Sequence, residues 1–229
     1  IAGGGSLLTL PVMIFIGLPP TVANGTNRVA ILALAFGAST SFARRGLVSA
    51  PWVKLAVPPA LAGVLLGTWA AVQIGDLAFQ RILAVVLVLA AAWTVWHPTK
   101  APDMGDAPPP AGRAGWVLRS VFFVVGAYGG FIQAGVGFIV LAVTSAGGLD
   151  LVRGNAVKVT LVMTFTTVAL TMFAFSGLVD WVMGAMLAAG TFSGGLIGVH
   201  LQVLKGQRWV RGVVTVTILV FAARLLIAG

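Results

Sequence analysis

Amide, hydroxyl and cationic side chains recur at helical spacing in two parts of the chain, 131 positions apart. Residues three and four positions apart lie on one face of a helix, so each group presents its polar side chains together. Amides donate hydrogen bonds and a cation adds charge, which is the chemistry that binds a small oxyanion. The candidate anion-binding residues of this kind are Asn24, Thr26, Asn27, Arg28, Asn155 and Lys158.

Glycine-rich breaks interrupt the apolar sequence ahead of both polar groups. A helix that restarts after glycines begins with free N–H groups and a partial positive charge, which suits an anion. Close packing of helices through small residues is the alternative interpretation. The candidate residues at these breaks are Gly3, Gly4, Gly5, Gly135 and Gly137, together with Gln133 as a cavity-facing side chain.

The polar candidates also have structural interpretations. Arg28 and Lys158 can extend to lipid headgroups from the ends of their helices. The paired asparagines can instead join one helix to another. His200 lies in an apolar stretch, where it is either a proton carrier or a hydrogen-bonded interface histidine. These alternatives stay open at the level of sequence.

The composition argues against enzyme and metal chemistry. The chain has no cysteine and no glutamate, and no phosphate-binding loop motif occurs in it. Each aspartate falls in a predicted loop or near the end of an apolar segment, so none is placed to relay protons at mid-membrane. We therefore predict no enzymatic activity, no cofactor and no metal. The aspartates are Asp76, Asp103, Asp106, Asp150 and Asp180.

The elements that carry these residues are membrane helices. Apolar residues make up 59% of the chain and charged residues 8%, against about 25% charged in a soluble domain. The apolar residues form blocks of about twenty, the length that crosses a bilayer as a helix. The fold class predicted is an all-α polytopic membrane protein. Predicted spans are 22–43, 55–75, 77–97, 154–175, 179–204 and 209–228, with shorter apolar segments at 7–18, 116–132 and 136–149.

The chain contains two copies of one unit. Residues 38–48 and 169–179 share Ala, Thr, Phe, Ala and Gly-Leu-Val at equivalent positions. A linker rich in proline and glycine, residues 98–114, separates a first transmembrane repeat at 1–97 from a second at 115–229. The second copy opens with an apolar segment that has no counterpart in the first. We therefore expect a further apolar element ahead of Ile1 in the natural protein.

Loop charges indicate that the two copies face opposite sides of the membrane. The loop after residue 43 carries Arg44, Arg45 and Lys54, whereas its counterpart in the second copy carries only Asp180. In the next loop the second copy is the more basic one, with Lys and Arg residues at 205–211. Cytoplasmic loops are enriched in Lys and Arg, which also accounts for the net charge of +9 without a nucleic-acid partner.

The inverted arrangement constrains the short apolar segments. Residues 115–149 must begin and end on the same side of the membrane, as a hairpin of two short or half-spanning helices broken at 133–137. Each repeat is therefore predicted as a broken or re-entrant hairpin followed by three transmembrane helices. Inverted repeats with discontinuous helices are typical of secondary transporters.

Several segments resemble the TauE/SafE sulfite exporter family. They are GGGSLLTLP at Gly3–Pro11, GLPPTVANGTNR at Gly17–Arg28, RRGLV at Arg44–Val48 and a weaker echo from Gln133 to Val179. The resemblance implies a bacterial inner-membrane permease for sulfur-containing anions such as sulfite or organosulfonates. It also implies a substrate site made of two half-sites that face each other. The half-site of the first repeat consists of Gly3, Gly4, Gly5, Asn24, Thr26 and Asn27. The half-site of the second repeat consists of Gly135, Gly137, Asn155 and Lys158.

Three functions compete at this level. The leading hypothesis is a secondary transporter of small sulfur-containing anions that works by alternating access. The alternatives are a passive anion channel of the same fold and a membrane-embedded enzyme or scaffold, which the lack of a nucleophile or base weakens. The expected surroundings are membrane lipid and a small anionic substrate, and the sequence leaves a homodimer open.

Cysteine labelling tests the inverted topology cleanly because the chain has no native cysteine. We expect a single cysteine placed within 44–54 and another within 176–180 to react with an impermeant maleimide from opposite sides of the membrane. Reaction of both positions from the same side would refute the inversion.

Overall fold

The computed structural model describes residues 5–96 and 107–194 and a few positions between 216 and 224. Its described part is built from helices. They are α1 (Ser6–Phe15), α2 (Pro20–Arg44), α3 (Ala50–Gln73), α4 (Asp76–Trp96), α5 (Gly112–Phe131), α6 (Val136–Ala146) and α7 (Leu151–Phe175), followed by α8, which begins at residue 181 and continues to residue 194.

The helices agree with the predicted spans wherever these lie in the described residues. Helices α2, α3, α4 and α7 coincide with four of the six spans. Of the described helices, α3, α5 and α7 are long and apolar enough to cross a membrane, and α1 and α6 are shorter apolar helices. The chain is thus an all-helical, multi-pass membrane protein. The predicted span 179–204 is described as far as residue 194, and α8 forms its helical part. Its remainder, most of the predicted span 209–228 and most of the linker lie outside the described residues.

The hairpin at 115–149 differs from the prediction in its first helix. Helix α5 has 20 residues, which corresponds to about 30 Å of rise and a full bilayer core rather than half of one. Helix α6 is short, with 11 residues, as predicted. The break between the two helices lies at the glycines that predicted it. Helix α5 ends at Phe131, and α6 begins at Val136. Gly135, which precedes α6, adopts a left-handed conformation with φ of 75°.

The repeated sequence folds into repeated local structure. A short helix followed by a 25-residue helix occurs twice, as α1–α2 and as α6–α7. Both long helices end in the same turn, in which a glycine of positive φ is followed by a leucine whose N–H donates back to a phenylalanine carbonyl. These turns are Gly46-Leu47 with Phe42, and Gly177-Leu178 with Phe173. The relative orientation of the two halves and the domain boundaries stay predictions.

Helices α3 and α5 pack with their backbones in contact through glycines on both sides. Gly63 and Gly67 of α3 lie one turn apart, as do Gly126 and Gly130 of α5. A Cβ atom on Gly67 would lie 1.9 Å from the carbonyl oxygen of Ala127, and one on Gly126 would lie 2.1 Å from that of Ala60. Small residues of this spacing let membrane helices approach closely. The glycines therefore fix α5 against α3.

Helices α2 and α7 cross in opposite directions. The start of α2 lies beside the end of α7, where the Arg28 guanidinium sits 4.8 Å from the ring centroid of Phe173. The other end of α2 lies beside the start of α7, where the hydroxyls of Ser39 and Thr160 are 3.2 Å apart. This antiparallel register determines which polar residues of the two helices can meet.

The described aspartates lie at helix ends, as predicted. Asp150 caps the start of α7 by accepting from the N–H groups of Val152 and Arg153 at 2.8 and 3.0 Å. Asp76, in the first turn of α4, accepts from both the N–H and the hydroxyl of Thr21 at the start of α2. A carboxylate is favourable at the positive end of a helix. The described acids therefore serve helix ends.

Substitution of Gly67 by alanine tests the close packing of α3 and α5. We expect G67A to lower the free energy of unfolding by about 3 kcal/mol, because its Cβ meets backbone that cannot move aside. The measurement is the melting temperature of the purified protein in detergent. G37A is the matched control, since Gly37 lies in α2 with open space around it. Equal melting temperatures for the two variants would contradict the contact.

Candidate functional site

The polar residues of α2 meet the broken end of α5. Asn24 Nδ2 donates to the carbonyl of Phe131 at 2.8 Å. The Arg28 Nη1 and Nη2 atoms donate to the carbonyls of Gly129 and Gly130 at 3.2 and 2.6 Å. The last carbonyls of a helix have no partner within it and carry a partial negative charge. Asn24 and Arg28 therefore cap α5 at the point where the chain breaks.

Arg28 is a buried cation without a carboxylate partner among the described residues. Its side chain is fully buried and packs against the face of Phe173. The interpretation that it extends to lipid headgroups is therefore wrong. Described aspartates are engaged at helix ends, and helix carbonyls supply only partial charges. The formal positive charge thus stays uncompensated in the protein interior.

Helix α1, the second break and α2 converge on one region. Thr9 of α1 donates its hydroxyl to Asn27 Oδ1 at 2.6 Å. The start of α1 also reaches the second break, since a Cβ on Gly135 would lie 3.9 Å from the Leu7 side chain. Gln133 donates through Nε2 to the hydroxyl of Thr166, near the middle of α7. The second break with Gln133, the end of α5, Asn24, Asn27 and Arg28 therefore form one buried polar cluster, called the break cluster below.

Four buried side-chain atoms of the break cluster have no hydrogen-bond partner among the described residues. Two are donors, Asn27 Nδ2 and Arg28 Nε, and two are acceptors, Asn24 Oδ1 and Gln133 Oε1. A buried polar atom without a partner costs about 1–3 kcal/mol. Unpaired groups beside a buried charge call for a polar partner, which can be water, an ion or a ligand.

The polar residues of α7 lie elsewhere. Lys158 is only 6% exposed, and no hydrogen bond or ion pair holds it within the described residues. Asn155 is half-buried one turn earlier. Lys158 is 15 positions from Phe173, or about 22 Å of helix rise. Because α2 and α7 are antiparallel, the structure does not bring these two residues to Asn24, Asn27 and Arg28.

The remaining predicted residues have other placements. Thr26 is fully buried and accepts from the N–H of Asp180 at 2.9 Å, so it holds the loop between α7 and α8. Gly5 immediately precedes α1, and Gly137 is buried in the first turn of α6. Gly3, Gly4 and His200 lie outside the described residues.

Several residues of the break cluster were missed by sequence reasoning. Thr9, Thr68 and Thr166 each bind a member of it, and the Tyr128 hydroxyl donates to the carbonyl of Ala134 within the break. Threonines are frequent in this chain and usually bond to their own helix, as several do here. Their roles depend on which helix lies opposite, so no local signal marks them.

Discontinuous apolar helices that meet around a buried cationic cluster define a multi-pass membrane protein of the kind found among secondary transporters. Comparison with known families identifies the family of this protein. The chain belongs to the sulfite exporter TauE/SafE family, whose model matches residues 1–225. The resemblance seen in the sequence is thereby confirmed.

Curated relatives are similar over almost the whole chain. A probable membrane transporter protein, ORF9, from Sinorhizobium sp is 29% identical, covering 99% of this chain and 86% of its own. A probable membrane transporter protein from Haemophilus influenzae is 26% identical over 98% of this chain and 88% of its own. YfcA from Escherichia coli K12, a probable membrane transporter protein, is 27% identical over 99% of this chain and 83% of its own. No solved structure matches the chain significantly.

Substitution of Arg28 by methionine tests the cap on α5. We expect R28M to lose about 3 kcal/mol of stability, because two charge-assisted hydrogen bonds disappear and leave buried carbonyls unpaired. The readout is the melting temperature in detergent. R45M is the matched control, since Arg45 is exposed after α2. A loss no larger than that of R45M would show that Arg28 does not hold the break.

Proposed function

We propose that this protein is a secondary transporter of small sulfur-containing anions, such as sulfite or organosulfonates, across the bacterial inner membrane. The observation that carries the proposal is the break cluster, which holds a formal cation with an unpaired Nε and no carboxylate partner among the described residues. The family and the relatives, described as probable membrane transporters, support the same class of function.

Charge at the break cluster favours an anion over a cation. Removing a guanidinium from water is costly unless a negative charge lies nearby. A bound oxyanion would supply that charge and accept from Arg28 Nε and Asn27 Nδ2, the two unpaired donors. The first N–H groups of α6, after Gly135, add a partial positive charge at the same break. We therefore assign anion binding to the break cluster.

The two repeats support alternating access as the mechanism. Similar pairs of a short and a long helix, with α2 and α7 antiparallel, suit two inverted halves that rock about a central site. Asn155 and Lys158 stand in the second half at positions equivalent to Asn24 and Asn27 in the first. We propose that they serve the anion pathway as a separate group, because the register of α2 and α7 keeps them from the break cluster.

Burial of the cluster favours a transporter over a channel. Unpaired atoms of the cluster are inaccessible to solvent, so a bound anion would be enclosed on both sides in this conformation. A passive channel instead needs a continuous pathway. Flux in a transporter saturates and shows exchange with substrate on the opposite side.

Sulfite flux into proteoliposomes tests this proposal. We expect saturable uptake that is accelerated by sulfite loaded inside, and N27L should reduce it at least tenfold by removing an unpaired donor of the cluster. T167V is the matched control, since Thr167 is exposed and bonds to the carbonyl of Met163. Linear, non-saturating flux would establish a channel instead. Wild-type uptake in N27L would refute the assigned site.

A further inference from the structure

We propose that the break cluster selects a monovalent oxyanion that also carries a hydroxyl group. This inference rests on the proposed function, because it names the class of anion that the cluster binds. Two observations support it independently. One is the number of formal charges at the cluster, and the other is the set of unpaired hydrogen-bonding atoms.

The charge at the cluster matches one negative charge. Arg28 is its formal cation, and Lys158, the other buried cation among the described residues, lies on α7 about 22 Å of helix rise before Phe173, against which Arg28 packs. A monovalent anion would neutralise Arg28. A dianion would leave a net negative charge in a buried region, which is costly without a second cation. The cluster therefore favours a monoanion such as hydrogensulfite or a sulfonate over sulfate.

The unpaired acceptors call for a donor on the ligand. Asn24 Nδ2 is committed to the carbonyl of Phe131, which can only accept, so Oδ1 is the free atom of this amide. When the Thr166 hydroxyl donates to the carbonyl of Val162 at 2.6 Å, it accepts from Gln133 Nε2, which leaves Oε1 free. Flipping the Asn24 amide would break its bond to Phe131. Asn24 Oδ1 is therefore fixed as an acceptor, and Gln133 Oε1 is a second acceptor in the arrangement that keeps both bonds of Thr166.

A fully deprotonated oxyanion cannot satisfy these acceptors. Its oxygens pair with donors such as Arg28 Nε, but they offer no hydrogen to Asn24 or Gln133. A hydroxyl on the anion supplies that hydrogen while the remaining oxygens accept from Arg28 and Asn27. One small ligand with both functions would thus pair donors and acceptors of the cluster together.

A matched pair of sulfonates isolates the hydroxyl. The ligands 2-hydroxyethanesulfonate and propanesulfonate are both monoanions with the same number of heavy atoms, and they differ by a hydroxyl in place of a methyl group. We expect the hydroxylated ligand to bind the full-length protein about 3- to 10-fold more tightly by calorimetry in detergent, the gain of one hydrogen bond. Equal affinity would overturn the inference and would indicate that water alone pairs the acceptors.

Two variants test which residue is responsible for the preference for the hydroxylated sulfonate. Q133M keeps the volume of the side chain and removes Oε1, so the affinity ratio of the two sulfonates should fall toward one. T167V, on the exposed side of α7 beside Thr166, should keep the wild-type ratio. An unchanged ratio in Q133M would exclude Gln133 as the acceptor and overturn its part in the proposal.

Wild-type protein provides a second test that does not depend on any variant folding. Sulfite gains a proton and becomes hydrogensulfite as the pH falls through neutrality, whereas sulfate stays a dianion. We expect the apparent affinity for total sulfite to rise as the pH falls over this range and sulfate to bind weakly throughout. An affinity for sulfite that is constant or decreases on acidification, or tighter binding of sulfate, would overturn the inference.

The outcomes separate this inference from the proposed function. Absence of binding for every anion tested would defeat the proposed function itself. Binding of both sulfonates with equal affinity would leave anion transport standing and remove only the selectivity for a hydroxyl.

Discussion

The cap that α2 places on the end of α5 is the interaction on which the rest of the structure depends. A helix that ends inside a membrane protein leaves carbonyls that lipid cannot pair. Arg28 and Asn24 satisfy three consecutive carbonyls, at residues 129–131, and so allow α5 to end inside the protein. Without that cap, α5 has no stable end, and α6 cannot start at Gly135 with its N-terminus in the interior.

The same cap creates the unpaired atoms of the proposed anion site. Holding the carbonyls uses the two terminal nitrogens of Arg28 and the amide nitrogen of Asn24, which leaves Arg28 Nε and Asn24 Oδ1 unpaired. A cation placed there for structural reasons also carries a full charge that helix carbonyls only partly offset. In the proposed function, folding and anion binding thus use one set of side chains, and substitutions at Arg28 would alter stability and binding together.

Close packing of α3 and α5 positions the cap from the other side. The glycines of both helices bring their backbones together, and Thr68 of α3 adds a hydrogen bond to the carbonyl of Gly130. The α5 end is therefore held between α3 and α2, while the break beyond it contacts α7 through Gln133. A closely packed scaffold of this kind suits the alternating access proposed above, in which the two halves move about a fixed site.

Sequence by itself determined the membrane class, four of the helical spans, the position of the break and the duplication. Each follows from local signals, namely apolar length, glycine and the repeated turn at Gly46 and Gly177. It also selected Asn24, Asn27 and Arg28 as polar residues on one face. Only the tertiary structure decided that Arg28 caps α5 and that Lys158 lies far from it. Those outcomes depend on the antiparallel register of α2 and α7 and on the close approach of α3 to α5, which are contacts between distant segments that no local pattern specifies.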